Sequence, residues 1–220
     1  MARRKTPGRT AGAAGGRKQT RSRPAVRILA RAQLPTRYGG FTILGAEGRR
    51  AEETAVVLVR GRVNGQAVPL VRVHSQCLTG DVLGSERCDC RAQLELALRR
   101  IGAARNGILL YLPQEGRGIG LMNKLRAYEL QDRGYDTVEA NRRLGFADDS
   151  RSYAFSAAVL AALGVRRVRL LSNNPEKVRQ LEAAGITVVE RVPCQPRAGS
   201  RSRGYLRTKM EKLGHILRGI

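Results

Sequence analysis

RAQLELALRRIGAARNGILLYLPQEGRGIGLMNKLRAYELQDRG, residues 91–134, decides the fold class. Its first part places Leu94, Leu98 and Ile101 on one face at helical spacing. Asn106-Gly107 ends that helix. GILLYL (107–112) is then continuously apolar and short, the pattern of a strand covered on both faces. PQEGRGIG is a glycine-rich loop, and LMNKLRAYELQDRG is the helix that follows it. Helix, buried strand, loop and helix in succession indicate an α/β core.

The alternation continues on both sides. Downstream, DDSRSYAFSAAVLAALG (148–164) reads as a third helix with Asp and Ser caps at its start. RRVRLLS is a strand, NNPEKVRQLEAAG a capped helix with Pro just inside its start, and ITVVERVP a last strand. Upstream, TAVVLVRGRVNGQAVPLVRVHS (54–75) gives two β-rich runs, with Asn64-Gly65 as a hairpin turn between them. We therefore expect a single α/β domain over residues 26–220, with a mixed sheet flanked by helices on both faces. Residues 1–25, rich in Arg, Lys, Gly and Ala and without hydrophobic period, are expected to form a disordered basic tail.

The 220 residues carry a net charge of +23, which suggests a polyanionic partner. Residues 1–46 hold no acidic residue, and Arg191–Ile220 hold only Glu211, so the excess is mostly a property of the ends. Triphosphates and nucleic acids are both polyanions, and the charge does not separate them. No apolar run approaches the ~20 residues needed to cross a bilayer. Four cysteines do not make a disulfide scaffold in a chain of this size, and no secretory signal is visible, so a cytoplasmic location is expected.

The chemistry is concentrated in VRVHSQCLTGDVLGSERCDC (71–90). Cys77, Cys88 and Cys90, spaced C-x10-C-x-C, suit convergence on one zinc with a fourth tetrahedral position left open, as in catalytic sites. The competing reading is three buried cysteines packed as small apolar side chains.

RVHSQCLTGDVLGSERCDC, QEGRGIGLMNKLRAYELQDRGYDTVEANRRLGFADDSR, LLSNNPEKV and GYLRTKMEKLGH together resemble the GTP cyclohydrolase II family. The likeness runs from about Val71 to Leu217, in long ordered blocks. It implies hydrolytic opening of the imidazole ring of GTP, with release of formate and pyrophosphate, as the first step toward riboflavin. It also implies one Zn2+ per subunit, Mg2+ accompanying the triphosphate, and a homodimer. No membrane and no nucleic-acid partner is expected.

The residue roles follow from the same resemblance. Cys77, Cys88 and Cys90 match the zinc ligands, and Asp149, Arg151 and Tyr128 the catalytic groups. Arg72, Val73, His74, Ser75, Gln76, Gln93, Glu115, Gly116, Arg117, Thr137, Ser172 and Lys177 match substrate contacts. Asp149 and Arg151 correspond to a base and an arginine nucleophile at the α-phosphate; read from the residues alone, they are a helix cap and a phosphate clamp. Glu115 suits the N1–H and exocyclic amine of guanine. Thr79 and Arg87 suit donors that offset the negative charge of three thiolates. Tyr128 implies complete ring opening. Gln76 stands where many relatives have Glu, Arg91 where a Gly is usual, Pro113 for an Arg and Ser172 for a Thr, while Cys194 reads as structural. These departures leave two alternatives: a paralogue of a secondary pathway that stops at the formamidopyrimidine nucleotide, or a zinc-stabilised nucleic-acid-binding protein.

Overall fold

The computed structural model describes residues 25–65, 67–196, 199 and 203–219, so all but the last residue of the expected basic tail lies outside the described part. Seven strands form one mixed sheet: β1 (Arg27–Thr36), β2 (Gly39–Glu47), β3 (Thr54–Arg60), β4 (Leu70–Ser75), β5 (Gly107–Leu112), β6 (Arg167–Leu171) and β7 (Thr187–Val192). Their order across the sheet is β1-β2-β3-β5-β4-β6-β7. The first three and β5 pair antiparallel, whereas β5, β4, β6 and β7 run parallel to their neighbours.

The expected hairpin at Asn64-Gly65 does not form. Gly65 does turn the chain, at φ +73°. The two runs it joins nevertheless pair with β5, not with each other: Leu110 lies in register with Val57 on one side and Val73 on the other. The reason is burial. Arg72, Val71, Val73 and His74 are all buried, so β4 needs neighbours on both edges and helices on both faces. A local turn signal reports chain reversal and carries no information about which strand arrives between the two arms.

Six α-helices, α1 (Cys90–Ala103), α2 (Leu121–Asp132), α3 (Thr137–Arg143), α4 (Ala154–Ala162), α5 (Pro175–Ala183) and α6 (Arg203–Leu213), and two short helical turns, Leu78–Val82 and Glu115–Gly118, complete the described part. Side-chain alternation on β5 divides the core. Ile108, Leu110 and Leu112 pack with Ala157 and Leu160 of α4 and Leu181 of α5 on one face. Leu109 and Tyr111 pack with Ala97 and Ile101 of α1 on the other. The expected arrangement of helices on both faces of a mixed sheet is what forms.

Details differ from the sequence reading. The deepest line of α1 is Gln93, Ala97 and Ile101, with Leu94 and Leu98 half-buried beside it. Helix α4 begins at Ala154 with no cap from Asp149, which turns to Arg151 instead. The sequence reading places no strand before residue 54, because β1 is largely exposed and its turn, Arg37-Tyr38, has no Asn-Gly signal. Nor does it place helix α3, although Asp136 and Glu139, which form a reciprocal capping box there, stand at the D-x-x-E spacing.

Helix α1 passes so close to the β1–β2 turn that a Cβ on Gly102 would sit 1.9 Å from the Tyr38 carbonyl oxygen. Gly102→Ala is expected to cost about 1–3 kcal/mol through displaced backbone. Urea denaturation checks this, and an unchanged midpoint would contradict the close approach.

Candidate active site

Strand β4 ends at Ser75, and the chain enters a tight turn whose first thiol is Cys77. One buried carboxylate fixes that turn. Asp81 accepts from the Cys77 backbone N–H at 3.0 Å and from the Tyr111 hydroxyl at 2.9 Å. His74 Nε2 faces both Asp81 oxygens at 3.1 and 3.2 Å, and its ring stacks on Tyr111 across the β4–β5 pairing. Burial pushes His74 below its ordinary pKa, so the neutral ring donates Nε2–H to the carboxylate. Cys88 and Cys90 arrive at the start of α1.

The three sulfur atoms lie within 4.8 Å of one another, with Cys77 Sγ and Cys88 Sγ 3.7 Å apart. Zinc–sulfur bonds of ~2.3 Å at tetrahedral angles would set sulfurs ~3.8 Å apart, so this donor set fits zinc. Gly80 makes room for it: a Cβ there would meet Cys88 Sγ at 2.9 Å and Cys77 Sγ at 3.1 Å. All four cysteines are free thiols, and Cys194 is buried away from the trio among apolar side chains.

A lysine lies against the first thiol. Lys124 Nζ donates to Cys77 Sγ at 3.1 Å, Thr79 Oγ1 at 2.9 Å and Glu115 Oε1 at 2.7 Å. Hydrogen bonds from Cys88 and Cys90, together with the Lys124 ammonium, hold Cys77 far below the usual thiol range. The contact with Cys77 pushes Cys88 up to about 11 and Cys90 up as well, so the first negative charge settles on Cys77. Burial opposes the charge on Lys124, but Glu115 and the Cys77 thiolate outweigh it and raise its pKa. Tyr128, one helical turn from Lys124 on α2, shares a hydrogen bond of 3.1 Å with Thr79 Oγ1.

The thiols line a cavity together with Gln76, Glu115, Arg117, Lys124, Tyr128 and Thr137. A second cavity adjoins it and shares Ser75, Cys90, Arg117, Arg151 and Tyr205. Arg72, Arg117, Arg151 and Lys209 make that second space strongly cationic, and no carboxylate lines it among the described residues. Lys177 is buried and donates only to the Val73 carbonyl, at 2.7 Å. Burial and the adjacent Arg72 and Arg151 push its pKa well below normal. Burial, with Lys209 and Arg151 nearby, depresses His215 to about 3. Arg151 pairs with Asp149 through two bonds of 2.8 and 2.5 Å. Burial opposes both charges, yet the pairing lowers Asp149, and Tyr153 with Asp149 raises Arg151.

The structure brings most of the expected residues to these two spaces. Arg72, His74, Gln93, Ser172 and Lys177 line the cationic cavity, and Ser75 and Arg151 line both. Gly116, at φ +60°, lines the thiol cavity. Two of the expected residues have further engagements. The Val73 side chain is buried in the core, and its carbonyl accepts from Lys177. Glu115 lines the thiol cavity and also accepts from Leu78 N–H at 2.6 Å, Gly116 N–H at 3.0 Å and Lys124, so its carboxylate helps to hold the thiol loop. Thr79 does approach Cys77, at 3.7 Å, whereas Arg87 pairs with Asp132 and lies over the Tyr128 ring. The sequence reading missed Lys124 and Asp81, although the Lys124–Tyr128 spacing already put both on one helix face.

The family profile for GTP cyclohydrolase II matches residues 27–193. The chain is 53% identical over 189 residues to a GTP cyclohydrolase-2 of Escherichia coli O9:H4, covering 86% of this chain and 96% of that one. It is also 53% identical over 191 residues to a riboflavin biosynthesis protein of Vibrio vulnificus, and 54% identical over 185 residues to the riboflavin biosynthesis protein RibBA of Bacillus subtilis. Those matches cover 87% and 84% of this chain, which spans about half the length of the two relatives, 52% and 46%.

Two predictions follow from the geometry. Lys124→Met removes the ammonium beside Cys77, and chelator competition is expected to show zinc held about ten-fold less tightly, in line with lost outer contacts at metal sites; unchanged affinity would contradict the assignment. Lys177, depressed by its cationic surroundings, should regain its ordinary pKa beside a polyanion. Calorimetry of inorganic tripolyphosphate in two buffers of different ionisation enthalpy is therefore expected to show a component of proton uptake that Lys177→Met removes. Identical proton linkage in the parent and the variant would contradict this.

Proposed function

The chain belongs to the GTP cyclohydrolase II family, and from that membership and its two joined cavities we propose that it opens the imidazole ring of GTP hydrolytically. The reaction releases formate and pyrophosphate and leaves 2,5-diamino-6-(5-phosphoribosylamino)pyrimidin-4(3H)-one, the first step of riboflavin biosynthesis. The observation that supports this best is the junction itself: a three-thiol cluster and a carboxylate-free cationic cavity meet at Ser75, Cys90, Arg117, Arg151 and Tyr205. A purine nucleoside triphosphate has the matching shape, with one end to be hydrolysed and the other strongly anionic.

On the base side, Cys77, Cys88 and Cys90 would hold zinc, which supplies a polarised water for attack at C8 of guanine. The protein's own groups manage the charge and the protons. Lys124 offsets the thiolate charge at Cys77, and Glu115 and Thr79 hold Lys124 in place. Burial keeps the Tyr128 phenol protonated, and it faces the same cavity as a proton donor to a ring nitrogen leaving C8. Gln76, uncharged beside Cys77, and Thr137 offer neutral hydrogen-bonding groups to the base.

On the phosphate side, Arg72, Arg117, Arg151 and Lys177 surround the triphosphate. Arg151 clamps the α-phosphate as a guanidinium. Covalent attack by Arg151 requires Asp149 to take its proton; the bidentate contact places that acceptor, while both pKa shifts hold the ion pair at rest. Magnesium, which usually binds through phosphate oxygens and few protein ligands, would arrive with the triphosphate, because no carboxylate lines this cavity among the described residues. We further propose that residues 26–220 form the catalytic domain, that it works as a homodimer, and that it is cytoplasmic. Among the described residues no helix is long and apolar enough to cross a membrane.

Purified protein with GTP, zinc and magnesium is expected to release formate and pyrophosphate in equal amounts. Tyr128→Phe should lower formate release about 100-fold or more, the range of general acid–base assistance, with pyrophosphate release less affected. Pyrophosphate without formate from the unaltered protein would instead favour an enzyme that stops at the formamidopyrimidine nucleotide. No release of either from pH 6 to 9 would overturn the proposal.

A further inference from the structure

Helix α6 lies beyond residue 193, where the family profile ends, yet it forms part of the wall of both cavities. It is tied down at several points. Lys209 donates to the buried Asp89 carboxylate at 2.8 Å, between the second and third thiols of the cluster. After the helix, Ile216 N–H donates to the Asn173 carbonyl at 2.9 Å. Lys212 pairs with Asp136 and Glu139 at the start of α3. The helix is therefore seated against the ligand turn, the β6 terminus and α3 together.

This seating sets Tyr205 at the junction of the two cavities. Opposite it is Arg117, whose guanidinium is the least satisfied charged group in the site. Both of its terminal nitrogens are buried, and neither has a hydrogen-bond partner. Its backbone is held at φ +61°, a left-handed conformation that non-glycine residues rarely adopt. Burying an unpaired guanidinium is costly, and the surroundings must compensate for it or wait for an anion to do so. The contact that supports it here is the Tyr205 ring, with the Arg117 guanidinium carbon 5.8 Å from the ring centre and Lys209 Nζ 4.3 Å from the same centre.

We propose that Tyr205 is a positioning residue for the substrate phosphates: its ring face holds the unpaired Arg117 guanidinium aimed into the junction, so that α6 completes the anion-binding half of the site. This rests on the reading of the site as one for a nucleoside triphosphate. The ring offers a cation a favourable face without neutralising it, which a carboxylate in the same place would do. Arg117 thus keeps its full charge for the ligand. Lys209, over the same ring, is already paired with Asp89, so Arg117 is the cation left to meet the phosphate.

The test uses the full-length zinc-loaded protein and three variants, Tyr205→Phe, Tyr205→Leu and Tyr205→Ala. Calorimetric titration with inorganic tripolyphosphate gives an activity-free readout; formate release gives KM and kcat; chelator competition gives zinc retention. Tyr205→Phe keeps the ring face and is expected to behave as the parent. Tyr205→Leu keeps apolar bulk without the ring face and is expected to weaken tripolyphosphate binding and raise KM for GTP about ten-fold, with kcat and zinc retention unchanged. Tyr205→Ala should show the same or a larger effect. If Tyr205→Leu binds tripolyphosphate as tightly as the parent, the proposal is overturned. Loss of zinc or of the folded state with Leu but not Phe would overturn it too, because packing would then be the role. If the parent binds tripolyphosphate and releases no formate from GTP, the activity reading fails while the role of Tyr205 stands.

Discussion

The parallel pairing of β4 with β5 on one side and β6 on the other is the constraint on which the site depends. Parallel neighbours deliver their carboxyl ends to the same edge of the sheet. Gln76 and Cys77 follow β4, Gln114 to Arg117 follow β5, and Ser172 to Asn174 follow β6. From that edge the chain leaves β4 toward α1 on one face, while α4, which precedes β6, packs on the other. Loops that part to opposite faces leave a crevice between adjacent strand ends, the usual ligand position in such sheets. A β3–β4 hairpin, the arrangement the local sequence suggests, would run β4 in the same direction but would leave β5 out of its place between the two strands.

Within that crevice the dominant problem is charge. Three thiols in contact cannot all ionise without help, and several buried cations cannot sit together without an anion. The protein answers the first with Lys124, fixed by Glu115 and Thr79, and with Asp81, which organises the loop without touching the sulfurs. It leaves the second open. Arg117 is unpaired, Lys177 has only a carbonyl, and His215 is held neutral by its neighbours. A site in this state is prepared for a polyanion, whose binding relieves a repulsion already present in the fold.

What the sequence made legible was whatever is encoded by short-range spacing. The C-x10-C-x-C pattern located the thiol trio, and the capped NNPEK helix, the GILLYL strand and the glycine loop appear as read. Less was legible where a role depends on which distant element arrives. Lys124 looks like an ordinary helix-surface lysine until Cys77, from β4, is set against it. Nothing near Glu115 in the sequence shows that the Leu78 N–H will donate to it. Tyr205 stands in the GYLRTKMEKLGH block, but its place at the junction comes from the tether of α6 to Asp89. The DDSR stretch shows the limit most plainly: its polar residues resemble a helix cap, and they form the Asp149–Arg151 pair instead.

On the proposed function, the thiol trio and the cationic cavity are two halves of one site for a single nucleotide. The most direct measurement is a zinc-edge anomalous map from crystals grown with zinc and a GTP analogue that resists hydrolysis. One peak among Cys77, Cys88 and Cys90, with the guanine beside it and the triphosphate against Arg117, Arg151 and Lys177, is the predicted result. Zinc elsewhere, or a triphosphate bound away from those three side chains, would contradict it.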